Sequence, residues 1–218
     1  MEPNIIVTKW IGNIRMPINW QKTNVILMGL LFCSCEDNIT DNSKLPDGID
    51  PEDWVELYNS TNDSISIGLW EFKDGNDDHV FIIPEDQVMV PGEYLVLCRD
   101  TLAFKENFPS VVNFAGELGF GLSGGGELIR LFDFNGELVD VVEYDNSSPW
   151  PTEPNGNGPT LELIYPFLNN DSGTNWAASD INGGTPGMIN SVYAADNSNS
   201  IVSGIVINEI NYNAADEY

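Results

Sequence analysis

A short loop of the chain concentrates oxygen-bearing side chains that could bind a cation. The stretch DGNDD contains Asp74, Asn76, Asp77 and Asp78. Ca²⁺ takes about six to eight oxygen ligands, and carboxylate and amide oxygens suit it. The stretch lacks the spacing and the terminal Glu of an EF-hand. It is therefore either a weak Ca²⁺ site or a plain acidic turn, and the acidic stretch at residues 50–53 is open to the same two interpretations.

The chain has few His and Cys residues that could form a nucleophilic pair or bind zinc. His79 is the only histidine, and Cys98 is the only cysteine after residue 35. A Cys–His pair would need these two side chains in contact, whereas the stretch GEYLVLCRD favours Cys98 as a small, half-buried strand residue. Zinc would need at least a third His or Cys ligand. The loop GLSGGGE lacks the Gly-Lys-Ser/Thr ending of a phosphate loop. The sequence predicts a protein that is not an enzyme, with no catalytic residues and no cofactor apart from the calcium candidate.

The first 35 residues have the order of an export signal. Lys22 precedes an unbroken apolar run at residues 25–32, and small or sulfur-bearing residues follow. This order is typical of a secretory signal peptide, and the run is far shorter than the ~20 residues that span a bilayer. We therefore predict a signal region at residues 1–35, which starts at Met1 or at Met16.

The end of this region also resembles a bacterial lipobox. The letters FCSC place small Ser34 directly before Cys35, which is the predicted lipidation site. Cys33 is the alternative acceptor, but bulky Phe32 precedes it. Glu36 and the residue after it resemble the acidic export signal of bacterial surface lipoproteins. This resemblance implies an exported outer-membrane lipoprotein, or a protein on the cell surface of a bacterium, that meets the membrane only through its lipid.

The acidic residues are concentrated after the signal region. The chain carries 8 basic and 34 acidic residues and a net charge of −26. Four of each kind lie in residues 1–44, so the rest of the chain carries the whole excess. Such a surface repels phosphate backbones, which bind through Lys and Arg. Direct nucleic-acid binding is thereby disfavoured, and a basic partner or a divalent cation fits better.

Short apolar runs separated by turn-forming residues fill the central part of the chain. Alternation is visible at Ile65, Ile67 and Leu69, and two longer runs flank the turn signal Asn135-Gly136, which is typical of a β-hairpin. One helical turn is predicted at about residues 100–107, and no other segment keeps a helical period. Many short strands with such spacing favour an all-β sandwich or barrel.

Several phrases together resemble bacterial lamin-tail domains, which are immunoglobulin-like β-sandwiches. They are DWVELYNST, ISIGLWEFKDG, FIIPEDQVMVPGEYLVLC, FGLSGGGELIRLFDFNGELVDVVEY, PWPTEPNGNGPTLEL and NWAASDINGGTPGMIN. The resemblance covers about residues 51–190. We therefore predict a signal region, a tether at 36–50, a lamin-tail β-sandwich at 51–192 and a linker at 193–204. Trp54, Trp70 and Trp176 are predicted to lie in the core because large aromatic side chains dominate cores.

The last predicted segment, residues 205–218, reads like the strand with which lamin-tail domains usually begin. No such strand precedes the DWVELYN phrase here. The segment either starts a further lamin-tail copy or is a permuted strand that completes this domain. Both alternatives leave a vacant sheet edge in the sandwich, at which a matching strand on a short linker would dock.

The resemblance implies a non-catalytic interaction, adhesion or anchoring module of the cell envelope. Its partner would be a protein or another envelope component. The alternative is an accessory domain of a secreted enzyme, a nuclease or a spore-coat-type kinase, with its catalytic region beyond the C-terminus. A further alternative is a scaffold stabilised by Ca²⁺.

Overall fold

A computed structural model describes the chain at Trp10–Ile11, at Ile14–Arg15 and over residues 52–195 and 203–212. The chain forms two compact units, Met1–Asn38 and Ile39–Tyr218. In the first unit, β1 (Trp10–Ile11) pairs antiparallel with β2 (Ile14–Arg15). The rest of the predicted signal region, with Cys35, lies outside the described residues, as does the predicted tether.

The second unit is built almost entirely from short strands. Its described elements are β3 (Trp54–Asn59), β4 (Ile65–Ser66), β5 (Glu71–Lys73), β6 (Val80–Ile82), β7 (Val88–Met89), β8 (Tyr94–Cys98), α1 (Thr101–Asn107), β9 (Phe114–Gly116), β10 (Gly126–Phe132), β11 (Leu138–Asp145), β12 (Pro159–Leu163), a 3₁₀ turn (Gly173–Asn175), β13 (Trp176–Asn182) and β14 (Ile205–Asn211).

Two larger sheets and one small pair organise these strands. One sheet has six strands in the order β13-β12-β14-β3-β8-β9, in which only β8 and β9 run parallel. The other has four strands in the order β11-β10-β5-β6, and β4 pairs with β7. Leu57 of the larger sheet and Leu131 of the smaller one belong to a single buried cluster. The predicted all-β, immunoglobulin-like sandwich is therefore confirmed.

The central strands of the larger sheet are buried on both faces. On β3, Val55 and Leu57 point into the sandwich core, and Trp54 lies on the opposite, outer face. Trp54 packs there against Phe104 of α1, with ring centroids 6.1 Å apart. Trp70 and Trp176 are also buried. All three tryptophans therefore have the predicted core positions.

Two local predictions are confirmed by the backbone. β10 and β11 form the expected hairpin, and Gly136 takes a φ of 81° in its turn, where an L side chain would be strained. The helical turn is α1. Its N-cap is Asp100, whose carboxylate accepts hydrogen bonds from the backbone N–H groups of Leu102 and Ala103, both at 2.8 Å.

Two residues differ from the sequence predictions. Leu69 does not continue the alternation of Ile65 and Ile67. It follows the strand with a φ of 64° and 49% exposure, because the chain turns at this point toward β5. Cys98 is completely buried and not half-buried, since α1 and β9 cover the outer face of β8 at its end.

The strand β14 lies in the middle of the larger sheet. It pairs antiparallel with β3 on one side and with β12 on the other. Ile205, Ile207 and Ile210 contribute to the sandwich core. The position that this strand fills is therefore not, as predicted, at the edge of the sheet. It lies in the centre of the sheet, between β3 and β12.

Hydrogen bonds at an irregular point of β14 link the two sheets. The register with β3 shifts between Ile207 and Glu209. The Ile207 N–H donates to the carboxylate of Asp140 on β11 at 2.7 Å, and the Asn170 side-chain amide donates to the same oxygen at 2.8 Å. Burial raises the pKa of Asp140 to about 6, although these two hydrogen bonds oppose the shift.

Candidate functional site

An aromatic pocket of about 110 Å³ lies on the outer face of the larger sheet. We call it the tyrosine pocket. It is lined by Tyr58, Tyr94, Leu163, Pro166, Phe167, Ile189, Asn190, Tyr193 and Asn208. Two of the lining residues, Ile189 and Tyr193, are exposed, and so is Met188, which precedes Ile189 in the chain. A group of large side chains that stays accessible to solvent is a candidate binding surface.

The sheet register fixes one wall of the tyrosine pocket. Tyr58 and Tyr94 are direct cross-strand neighbours on β3 and β8, with ring centroids 4.8 Å apart. The opposite wall includes Phe167, which follows β12, and Tyr193. The ring of Tyr165 packs against both, with ring centroids 5.1 Å from Phe167 and 5.6 Å from Tyr193. Two chain segments that are distant in sequence therefore meet around one pocket.

The environment of the pocket favours the neutral form of two of its phenol groups, those of Tyr58 and Tyr94. Burial, followed by the neighbouring tyrosines, raises the pKa of Tyr58 above its usual value. Burial also raises the pKa of Tyr94. Neutral phenol oxygens can both donate and accept hydrogen bonds, so the pocket combines aromatic faces with polar tips.

Three glutamates form a row next to this pocket. Glu162 on β12 lies opposite Glu209 on β14, which in turn lies opposite Glu56 on β3. All three are fully buried. We call them the glutamate row. Among the described residues, no Lys or Arg forms a salt bridge with any of them.

The glutamate row fastens residues 183–192, which we call the cover segment, onto the sheet. Glu56 accepts a hydrogen bond from the Gly187 N–H. Glu162 accepts from the Thr185 hydroxyl at 2.8 Å and from the Ser191 hydroxyl at 2.7 Å. Glu209 accepts from the Thr185 N–H at 3.0 Å. The buried carboxyl groups therefore satisfy polar groups of the cover segment.

The position of Gly184 in the cover segment leaves no room for a side chain. Its φ is 71°, and an added Cβ would collide with the Glu209 carboxyl group and with Thr160. The hydrogen bond from the Thr160 hydroxyl to Glu209 occupies that space. Glycine at this position lets the cover segment approach the glutamate row.

Burial raises the pKa of two members of the glutamate row, Glu56 and Glu209. Desolvation raises the pKa of Glu56 to about 8, despite the hydrogen bonds from Gly187 and Asn208. Desolvation, followed by repulsion from Glu56 and Glu162, raises the pKa of Glu209 well above its usual value. The Glu209 Oε2 atom has no hydrogen-bond partner among the described residues. A neutral carboxyl group costs far less to bury there than a carboxylate.

A second concave surface lies at the far end of the β10–β11 hairpin from its turn. This acidic groove has a volume of about 320 Å³, and Glu127, Glu143, Asp145 and Trp150 are among its lining residues. The Ser123 N–H donates to Glu127 at 3.0 Å. The groove adds to the acidic character that favours basic partners.

The calcium candidate loop is occupied by groups of the protein itself. Asp74 Oδ2 lies 2.6 Å from His79 Nδ1, and Asp74 Oδ1 accepts from the Asn76 N–H at 2.7 Å. The Arg130 guanidinium donates to Asp77 Oδ1 at 2.9 Å. Within residues 52–195 and 203–212, no group of three or more His, Cys, Asp or Glu side chains is placed to hold a metal ion. These contacts favour the acidic turn, and the calcium site stays a prediction.

The second acidic stretch is likewise engaged with the protein. Glu52 Oε2 lies 3.1 Å from Arg99 Nη1, and Asp53 accepts from the Leu122 N–H at 2.7 Å. Asp50 lies outside the described residues. The described carboxylates of this stretch therefore stabilise the start of β3.

The two candidate nucleophile and base residues lie apart: Cys98 ends β8 of the larger sheet, and His79 directly precedes β6 of the smaller one. The Cys98 thiol donates to the Ala115 carbonyl on β9 at 3.5 Å, and burial raises the pKa of this thiol to about 12. His79 stacks on Phe120 with ring centroids 5.3 Å apart. Such a thiol is poorly suited to form the thiolate that a nucleophile requires.

Sequence reasoning did not identify the tyrosine pocket or the glutamate row. A signal for the row was present, since Glu56, Glu162 and Glu209 each interrupt a strongly apolar run. For the predicted lipid site at Cys35 the structure describes nothing. Among the described residues, no helix is long and apolar enough to cross a membrane.

A family model described as the Lamin Tail Domain matches residues 36–146, which is more than half of the 218-residue chain. No curated protein sequence matches the chain.

Proposed function

The chain belongs to the lamin tail domain family, and from this premise we propose that it is a non-catalytic interaction module held at the bacterial cell envelope. The immunoglobulin-like sandwich is compatible with an interaction role. The finer assignment, to adhesion or anchoring in the envelope, rests on the surface of the domain and on the export signal.

The observation that carries the proposal is the tyrosine pocket. Aromatic side chains are enriched in the centres of protein interfaces because they bury large areas and carry polar tips. Here they surround a concave site, and the strands β3 and β8 hold two of them in register. A rigid sheet presents these rings without a large loss of entropy on binding.

The charge of the domain indicates the chemistry of the partner. After residue 44 the chain carries four basic and thirty acidic residues, and the acidic groove adds local negative charge. A basic protein or another positively charged envelope component is favoured. Nucleic acid is disfavoured because its phosphates would be repelled.

The proposed attachment to the envelope is a lipid on Cys35. The apolar run and the FCSC letters support this attachment, and one acyl chain alone binds membranes only marginally. Bacterial-type lipidation with several chains would hold the domain stably and leave the sandwich free to meet partners.

The proposal predicts a specific crosslink in the organism that encodes the chain. A photo-crosslinking residue at Ile189, at the exposed rim of the tyrosine pocket, is expected to capture an envelope protein. The same residue at Leu102, which is exposed on α1, is the matched control and is expected to give at least about tenfold less product. The measurement is the yield of crosslinked adduct in the envelope fraction.

The anchor is tested in the same strains. Cys35→Ser is expected to abolish fatty-acid labelling and to release the chain from the envelope, whereas Cys33→Ser is expected to change neither.

Equal adduct yields from positions 189 and 102 would contradict the interaction role. Fatty-acid labelling that survives Cys35→Ser but not Cys33→Ser would contradict the assigned lipid site.

A further inference from the structure

Every described cationic side chain of the second unit is already engaged elsewhere. Lys73 lies 2.7 Å from Glu71, and Arg99 lies 3.1 Å from Glu52. The Lys105 ammonium donates to the carbonyl groups of Pro109 and Val111, and the Arg130 guanidinium donates to Asp74 and Asp77. None of these four residues lines the tyrosine pocket.

Two other partly exposed aromatic rings of the domain, those of Phe132 and Phe114, have a Lys or Arg side chain near them. Lys73 lies 5.3 Å from the ring centroid of Phe132, and Arg130 lies 5.7 Å from it. Lys105 lies 5.6 Å from the ring centroid of Phe114. Cations within about 6 Å of an aromatic centroid are attracted to the ring face. The tyrosine pocket is thus an aromatic cluster to which the described part of the chain supplies no cation.

The polar tips of the pocket are also available. The hydroxyl groups of the lining tyrosines Tyr58, Tyr94 and Tyr193 have no hydrogen-bond partner in residues 52–195 and 203–212. The Asn190 side chain, by contrast, is engaged with the Leu163 and Asn208 carbonyl groups. A ligand that offers both a positive face and N–H donors would match ring faces and free phenol oxygens at once.

We propose that the tyrosine pocket binds the guanidinium group of an arginine side chain on a partner protein. This inference rests on the proposed function and names the group that the interaction module recognises. Arginine fits better than lysine because its planar, weakly hydrated guanidinium stacks on aromatic rings and carries several N–H donors. The strong excess of acidic residues attracts such a partner, and a 110 Å³ pocket admits one such group.

The test is an NMR titration of the chain with three capped tripeptides, Gly-Arg-Gly, Gly-Lys-Gly and Gly-citrulline-Gly. Citrulline keeps the shape of arginine and lacks its charge. The arginine peptide is expected to bind at least about threefold, and up to about thirtyfold, more tightly than the citrulline peptide. The shifted resonances are expected to be those of the pocket tyrosines. Equal affinities for arginine and citrulline, or for arginine and lysine, would overturn the assignment.

A pocket variant separates recognition from general charge attraction. Tyr193→Leu keeps every charge and alters a side chain that is 42% exposed. It is expected to weaken arginine binding by about threefold or more, whereas Phe134→Leu, at an exposed ring elsewhere, is expected to leave it unchanged. Undiminished arginine binding by a folded Tyr193→Leu chain would overturn the proposal. The citrulline comparison on the unaltered chain remains decisive if this variant does not fold. Envelope crosslinking from position 189 without arginine selectivity would refute this inference alone and leave the interaction role standing.

Discussion

Replacing Ile207 with aspartate is expected to destabilise the domain by at least about 4 kcal/mol and to lower its melting temperature by roughly 10 °C. Ile207 is fully buried in the sandwich core on the central strand β14. A carboxylate at this position would lie among apolar side chains with no cation to pair with it. Burial of an unpaired charge is among the few single changes that cost this much.

The matched control is Ile181→Asp on β13, where the isoleucine is 55% exposed. This variant makes the same chemical change on a strand of the same sheet, and its melting temperature is expected to stay within a few degrees of the parent value. Thermal unfolding followed by circular dichroism is the measurement. Equal melting temperatures for the two variants would mean that residues 205–211 are not part of the core.

The second large effect is a loss of stability as the pH rises from about 4.5 to 8. The pKa of Glu56 is raised from 4.5 to about 8 in the folded chain, and Glu209 is shifted in the same direction. Between these values the folded state holds protons that the unfolded state has released. The free energy of unfolding therefore falls with pH. Because each pKa unit corresponds to about 1.4 kcal/mol, the fall from one group is on the order of several kcal/mol.

Repulsion among the many carboxylates of this acidic chain also lowers its stability as the pH rises. A variant must therefore separate this repulsion from the titration of the glutamate row. Glu209→Gln imitates the protonated side chain: its oxygen can keep the bonds from Thr160 and Thr185, and its amide nitrogen replaces the unpartnered Oε2. It is expected to reduce the slope of stability against pH. Glu106→Gln, at an exposed position on α1, removes one charge as well and is expected to leave the slope unchanged. Urea unfolding at pH 5, 6, 7 and 8 measures both slopes. If the two variants keep the parent slope, the glutamate row is not the source of the pH dependence.

Features that depend on nearby residues could be predicted from the sequence. The Asn135-Gly136 turn has a local cause, the positive φ that glycine accepts. The start of α1 also has one, since the Asp100 carboxylate caps the first turn. The short apolar runs between turn-forming residues likewise predicted many strands and hence the sandwich class.

Features that depend on strand order could not be predicted in this way. Alternation tells which face of a strand is buried, but not which strands are neighbours. Glu56, Glu162 and Glu209 are far apart in the sequence, and only the insertion of β14 between β3 and β12 brings them into one row. Each glutamate alone resembles a polar interruption of an apolar strand.

The tyrosine pocket illustrates the same limit. Tyr58 and Tyr94 become neighbours through the β3–β8 register, and Tyr193 joins them because it directly follows the cover segment, which lies across the sheet. The glutamate row holds that segment in place. The binding surface and the position of β14 therefore depend on each other, because β14 carries Glu209 of the row that holds the cover segment.

Amide hydrogen exchange of the chain, followed residue by residue by NMR, shows whether β14 occupies the centre of the sheet. Amides in the interior of a sheet exchange only through large openings of the fold. We expect the amides of Ile205–Asn211 to exchange as slowly as those of Trp54–Asn59, with which they pair. Rapid, unprotected exchange of the β14 amides alongside well-protected β3 amides would contradict this central position.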